Sequence, residues 1–167
     1  FDARGFDLAP DGSPTGWRSF AYYPFLGTFF PTNGSTDDVL IRLPDAFRTN
    51  DAGAYDALVY ETNLSVVEAL IRRADVLVEP TDETRFGVDL DRDGRIGTAT
   101  RVAYAWDPPR GIDMSFVGRA RAEQREHHII AVAGLFPLGT EFLHSVRYLD
   151  VVDGRTGMAR RMKELRY

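Results

Sequence analysis

Residues 86–97 read Phe86-Gly87-Val88-Asp89-Leu90-Asp91-Arg92-Asp93-Gly94-Arg95-Ile96-Gly97, and Thr100 to Trp106 follow as an alternating run. The segment Asp89 to Ile96 matches the first eight positions of an EF-hand-type calcium loop. Calcium is a hard cation that takes six to eight oxygen ligands. Alternate residues of a tightly turning loop aim their side chains inward, so Asp89, Asp91 and Asp93 converge. Gly94 permits the sharp turn at the sixth position, the Arg95 carbonyl supplies a further ligand, and Ile96 anchors the loop to the core. The match stops there: Gly97 holds position nine, and Thr100 holds position twelve, where an EF-hand carries a bidentate Glu. The flanks decide the fold. Phe86 to Leu90 reads as a strand, and Val102, Tyr104 and Trp106 share one face of a second. The loop is therefore expected between strands, not between helices. Its missing ligands would come from water or from Asp82, Glu83, Asp37 or Asp38. The rival reading is an Asp-Gly turn with solvated carboxylates.

Working outward, one segment has helical period. Tyr60, Leu64, Val67 and Ile71 make a stripe within an expected helix over about 54–74, with Arg72 and Arg73 in the last turn, where cations suit the dipole. Val39 to Leu43 is a short strand candidate stopped by Pro44. His128 to Ala133 is apolar and β-branched. Residues 114–126 fit helix or strand. Phe142 to Val152 reads as a strand, Asp153-Gly154 as a hairpin turn, and Met158 to Tyr167 as the returning strand. Residues 1–30 read as a long irregular arm rich in Gly and Pro and then in aromatics. The expected fold is α+β: one domain over 1–167, an antiparallel sheet and one main helix.

The 167 residues suffice for a core without covalent staples. A net charge of −5 argues against nucleic-acid binding, which needs clustered cations. Lys163 is the only lysine, so the positive charge is almost wholly arginine. No apolar run is long enough for a transmembrane helix. The absence of cysteine excludes disulfides and thiolate metal sites. The chain opens at Phe1, which suggests a removed leader or a start inside a longer chain.

Two further features bear on function. His127 and His128 are adjacent, so on a strand only one of them could join His144 at a haem or transition metal. Phe142, His144, Val146 and Tyr148 alternate on one expected core face, which would make His144 structural. Residues 17–30 hold seven rings broken by Pro24 and Gly27. Trp17, Arg18, Phe20, Tyr22, Tyr23 and Phe25 are expected to face a partner, since aromatics and arginine concentrate at interface centres; the other reading is an arm laid over the core. No paired acids or nucleophile motif mark an enzyme.

The stretches Thr32 to Val39, Gly139 to Tyr148 and Arg161 to Tyr167 are similar to segments of uncharacterised exported bacterial proteins associated with c-type cytochromes. That resemblance implies an extracytoplasmic, redox-associated setting and transfers no catalytic residue. The chain carries no C-x-x-C-H for a haem of its own. Together these readings point to a calcium-binding extracytoplasmic accessory protein that docks on a larger assembly, such as a cytochrome complex. A histidine-ligated haem or metal protein and a glycan-binding module are the rivals.

Overall fold

The computed structural model describes residues 2–19 and 37–167. In chain order the strands are β1 (Phe6–Leu8), β2 (Pro14–Ser19), β3 (Asp37–Arg42), β4 (Val76–Asp82), β5 (Thr98–Val102), β6 (Glu141–Val152) and β7 (Arg155–Arg166). The helices are α1 (Ala57–Arg72) and α2 (Arg119–Arg125), with short 3₁₀ turns between. This is the α+β fold with antiparallel sheets and one main helix. The chain divides into two compact units, one of Phe1–Arg42 with Thr140–Tyr167 and one of Leu43–Gly139.

The first unit is an antiparallel sheet in the order β1-β2-β3-β6-β7. Its β6–β7 hairpin turns at Asp153-Gly154, both with positive φ, as a tight turn between twisted strands requires. Part of the expected irregular arm is strand. Asp11 accepts the Ser13 N–H and hydroxyl, closing a turn within the expected irregular arm, and Pro14 then opens β2, where a missing N–H costs nothing. Trp17 lies on β2 with the Arg42 guanidinium 4.5 Å from its ring centroid. Arg42 in turn makes a two-point ion pair with Glu141, which also accepts the Tyr167 hydroxyl.

His144 sits on β6 between Val39 and Arg166. The expected core face is corrected here: Phe142 and Tyr148 are exposed, while Ser145 on the opposite face is buried. Alternation in this strand separates two faces, but the apolar one is not the covered one.

The second unit holds the larger core. Asp56 caps α1 by accepting the Leu58 and Val59 N–H groups, and Arg73 ends it in a left-handed conformation at φ 53°. These caps make the helix shorter than the 54–74 expected. Its buried face runs through Val59, Tyr60, Asn63, Val66, Val67 and Leu70, so Leu64 and Ile71 mark only the edge of the stripe. Asn63 is completely buried. Its Nδ2 donates to the Phe47 and Val117 carbonyls, and its Oδ1 accepts the Val117 N–H. A core amide with these partners ties α1 to the 3₁₀ turn Asp45–Phe47 and to the irregular segment at Val117, whose backbone groups would otherwise be orphaned. Phe47 and Phe116 pack edge to face beside it, with centroids 4.8 Å apart.

Three local expectations change. The strand expected over Thr100 to Trp106 is β5, which ends at Val102; it pairs antiparallel with β4, where Pro80 falls within the register shift between the paired Leu77 and Thr81 and no ladder N–H is needed. Phe86 to Leu90 forms no strand, since Gly87 turns the chain at φ 59°. His128 to Ala133 is irregular, following α2 and a left-handed His127 at φ 61°.

Replacing Asn63 by Ala leaves three buried backbone groups unpaired. It should destabilise the protein by about 2–4 kcal/mol, measured by urea denaturation, whereas the same change at exposed Glu68 should cost less than about 1 kcal/mol.

Candidate metal centre

The acidic loop runs between the 3₁₀ turn Glu83–Arg85 and β5. Alternation fixes its inner and outer sides. Val88 and Leu90 are buried in a cluster with Val59, Ala99 and Val117, with Phe86 packed against it. Asp89 and Asp91, one residue out of phase, are left half-buried at the loop's mouth. Ile96, expected as the anchor, is 47% exposed; Val88 and Leu90 do that job instead, because they precede the turn and share its core-facing parity.

The loop's internal hydrogen bonds follow the D-x-D-x-D-G pattern. Asp89 Oδ2 accepts the Gly94 N–H at 3.0 Å, Asp91 Oδ1 the Asp93 N–H at 3.2 Å, and Asp93 Oδ1 the Arg95 N–H at 2.8 Å. Gly94 stands at φ 85°, a conformation that side chains resist, although open space surrounds the place of a Cβ. The glycine is needed for its backbone alone. Arg101 braces the loop from β5, donating to the Asp75 carboxylate at 3.0 Å and to the Asp91 carbonyl at 3.4 Å.

Glu83 is the decisive residue. It is 1% exposed, and its two oxygens accept the N–H groups of Leu90 at 2.5 Å and Gly97 at 2.8 Å. Its own backbone N–H donates to the Gly97 carbonyl. One carboxylate thus holds both ends of the loop. Glu83, Asp89 and Asp91 each bring an oxygen within 4.8 Å of the others. Oxygens each about 2.4 Å from one calcium ion lie at most about 4.8 Å apart, so the spacing fits a shared cation. Asp89 Oδ1 is shielded from solvent and has no hydrogen-bond partner in the structure.

The sequence named Asp89, Asp91, Asp93 and the Arg95 carbonyl. The structure draws Asp89 and Asp91 together and adds Glu83, while Asp93 and Arg95 occupy the exposed limb of the same loop. Among the other acidic candidates, Asp82 is engaged elsewhere: the Thr84 hydroxyl and N–H bind its carboxylate and hold its pKa below the ordinary value. Asp37 and Asp38 belong to β3 of the other unit. His127 and His128 are exposed and His144 half-buried; the acidic trio contains no histidine. Of the residues expected to meet a partner, Trp17 and Arg18 are half-buried on β2, with Arg18 stacked 5.1 Å from the Phe6 centroid. Phe20, Tyr22, Tyr23 and Phe25 lie outside the described residues.

Glu83→Ala removes the acceptor for two N–H groups. With chelator present, it should lower stability by about 2–4 kcal/mol in chemical denaturation. A loss below about 0.5 kcal/mol would show that the loop does not depend on this clamp. Gly94→Ala should cost about 1–2 kcal/mol from backbone strain alone.

A family model described as that of a lipoprotein matches residues 2–167. An uncharacterised lipoprotein of Aquifex aeolicus (strain VF5) is 33% identical over 167 residues, covering 99% of this chain and 24% of the relative. The chain therefore spans about a quarter of that relative's length. No solved structure matches. Among the described residues no helix is long and apolar enough to cross a membrane. Lipoproteins are exported and held at membranes by lipid, which agrees with the extracytoplasmic setting expected from the resemblance; neither match names a cytochrome. The chain belongs to this lipoprotein family.

Proposed function

We propose that the chain is a calcium-stabilised module of an extracytoplasmic accessory protein. The observation that carries this reading is the convergence of Glu83, Asp89 and Asp91; Asp89 in addition has one shielded carboxylate oxygen without a hydrogen-bond partner. Electrostatics favours an ion there. Two like charges about 4 Å apart repel by about 1 kcal/mol in water and by about 4 kcal/mol at the effective dielectric of a protein surface. Three such carboxylates are costly without a counterion, and a divalent cation turns the repulsion into attraction.

The proposed ligands are the carboxylates of Glu83, Asp89, Asp91 and Asp93 and the Arg95 carbonyl, with water completing the shell. Glu83 can serve as ligand and clamp together, because an ionised carboxylate offers about four lone-pair sites and two are used by N–H groups. It replaces, from outside the loop, the closing Glu that position twelve lacks. A loop of this kind binds with Kd of about 10⁻⁴–10⁻³ M, which suits a calcium-rich exterior and not a cytosol. The module's role is accessory: it stabilises a surface that docks on a larger assembly. The residues proposed to meet that assembly are Trp17, Arg18, Phe20, Tyr22, Tyr23 and Phe25; of these, Trp17 and Arg18 also make intramolecular ring contacts on β2. An electron-transfer assembly is the partner class that the resemblance suggests.

Calorimetric titration of chelator-stripped protein should show one site saturating at millimolar calcium. A calcium concentration about tenfold above Kd should stabilise the folded state by about 1.4 kcal/mol, raising Tm by roughly 3–6 °C. Asp91→Ala should abolish both effects. Absence of heat and of any Tm change in the unmodified protein would refute the calcium site.

A further inference from the structure

The β6–β7 hairpin outgrows its sheet. β3 pairs only with residues 141–146 of β6, so from Arg147 onward β6 has β7 as its one ladder partner among the described strands. The register shifts at Val146/Arg147 and again at Arg147/Leu149, which strengthens the local twist. What projects is a two-stranded ribbon, an element that is marginal by itself in water. Its surface is unusual for a free hairpin. Leu149 and Val151 are 54% and 65% exposed, and Tyr148 and Val152, which alternate with them, are 46% and 61% exposed. Successive strand residues point to opposite faces, so both faces of the ribbon carry exposed apolar groups.

The ribbon is also basic within an acidic chain. From Arg147 to Tyr167 there are six cations against three carboxylates, while the whole chain is −5. Arg155, Arg160 and Arg161 are exposed, and the Arg161 guanidinium lies 5.3 Å from the Tyr148 centroid.

We propose that this ribbon is a membrane-surface contact that rests among anionic phospholipid headgroups. Charge complementarity supplies the attraction, at roughly a fivefold gain in partitioning for each Lys or Arg near the surface. The apolar groups on both faces favour a surrounding medium over a protein partner, which would cover one face. A second copy is disfavoured, because pairing β7 with β7 would set its arginines against one another. The outer edge of β7 has no ladder partner among the described strands, and its backbone groups need water. The ribbon therefore sits at headgroup level and not in the hydrocarbon, where unpaired backbone is excluded. A protein of a lipoprotein family works beside such a surface.

The test is sedimentation of the 167-residue chain with phosphatidylcholine vesicles, with and without roughly one-third phosphatidylglycerol, at about 0.1 M salt. Chelator is present throughout, so the calcium site plays no part. The chain should bind the anionic vesicles and leave them at high salt. Changing Arg155, Arg160 and Arg161 together to Ala should weaken binding roughly a hundredfold. Changing the same three to Lys should preserve it, and far-UV circular dichroism checks that each variant is folded. Equal binding to both vesicle types, or unchanged binding by the folded alanine variant, would overturn the proposal. So would failure to bind either vesicle by a chain that is retained on an acidic peptide column.

Discussion

The second unit depends on a buried carboxylate that grips two backbone amides. Glu83 could not be left under the surface as a bare charge, because desolvating an ion costs several kcal/mol unless hydrogen bonds or an opposite charge compensate. Leu90 and Gly97 provide the hydrogen bonds. Because those amides are the two ends of the acidic loop, meeting the needs of one side chain also fixes a backbone circuit. With the circuit fixed, the parity of the chain does the rest: Val88 and Leu90 go to the core and Asp89 and Asp91 to the mouth. Gly94 and Arg92 carry the positive φ values that turn the chain between them.

The same arrangement creates an electrostatic problem that the protein's own groups only partly solve. Backbone N–H groups satisfy Glu83, one oxygen of Asp89 and one of Asp91, yet Asp89 Oδ1 is shielded and unpartnered, and Asp89 shares its corner with two other carboxylates. Arg101 is near but spends its guanidinium on Asp75 and the Asp91 carbonyl, so it braces the loop without neutralising the trio. Elsewhere in the chain arginine is matched to carboxylate directly, as in the Arg42–Glu141 and Arg85–Asp56 pairs. The acidic loop departs from that habit, and the proposed calcium ion is the counter-charge that the arginines do not supply.

Much of this was legible in the sequence where local chemistry decides the outcome. The Asp153-Gly154 turn exposed the long hairpin, and the i, i+3, i+4 pattern exposed α1. The alternating aspartates ending in Gly94 marked the turning loop. What failed was decided by distant partners. Phe86, Val88 and Leu90 alternate like a strand, but they form no ladder with any described strand, and their alternation reports burial against α1 and β5 instead. Asn63 is a polar residue within the helix, and nothing local marks it as buried; its amide is in the core because a 3₁₀ turn and the segment at Val117 bring backbone groups to it. Glu83 stood among four acidic candidates, and only the 3₁₀ turn that carries it across the loop separates it from Asp82, one residue away and bound to Thr84.

The most direct test of the central claim is a calcium titration of ¹⁵N-labelled protein followed by backbone amide resonances. If Glu83 and the alternating aspartates close around one ion, the amides of Leu90, Asp93, Gly94, Arg95 and Gly97 should move together along a single saturating curve, while those of the β6–β7 hairpin stay still. Small shifts scattered over exposed carboxylates, without saturation and without movement at Leu90 and Gly97, would contradict the account.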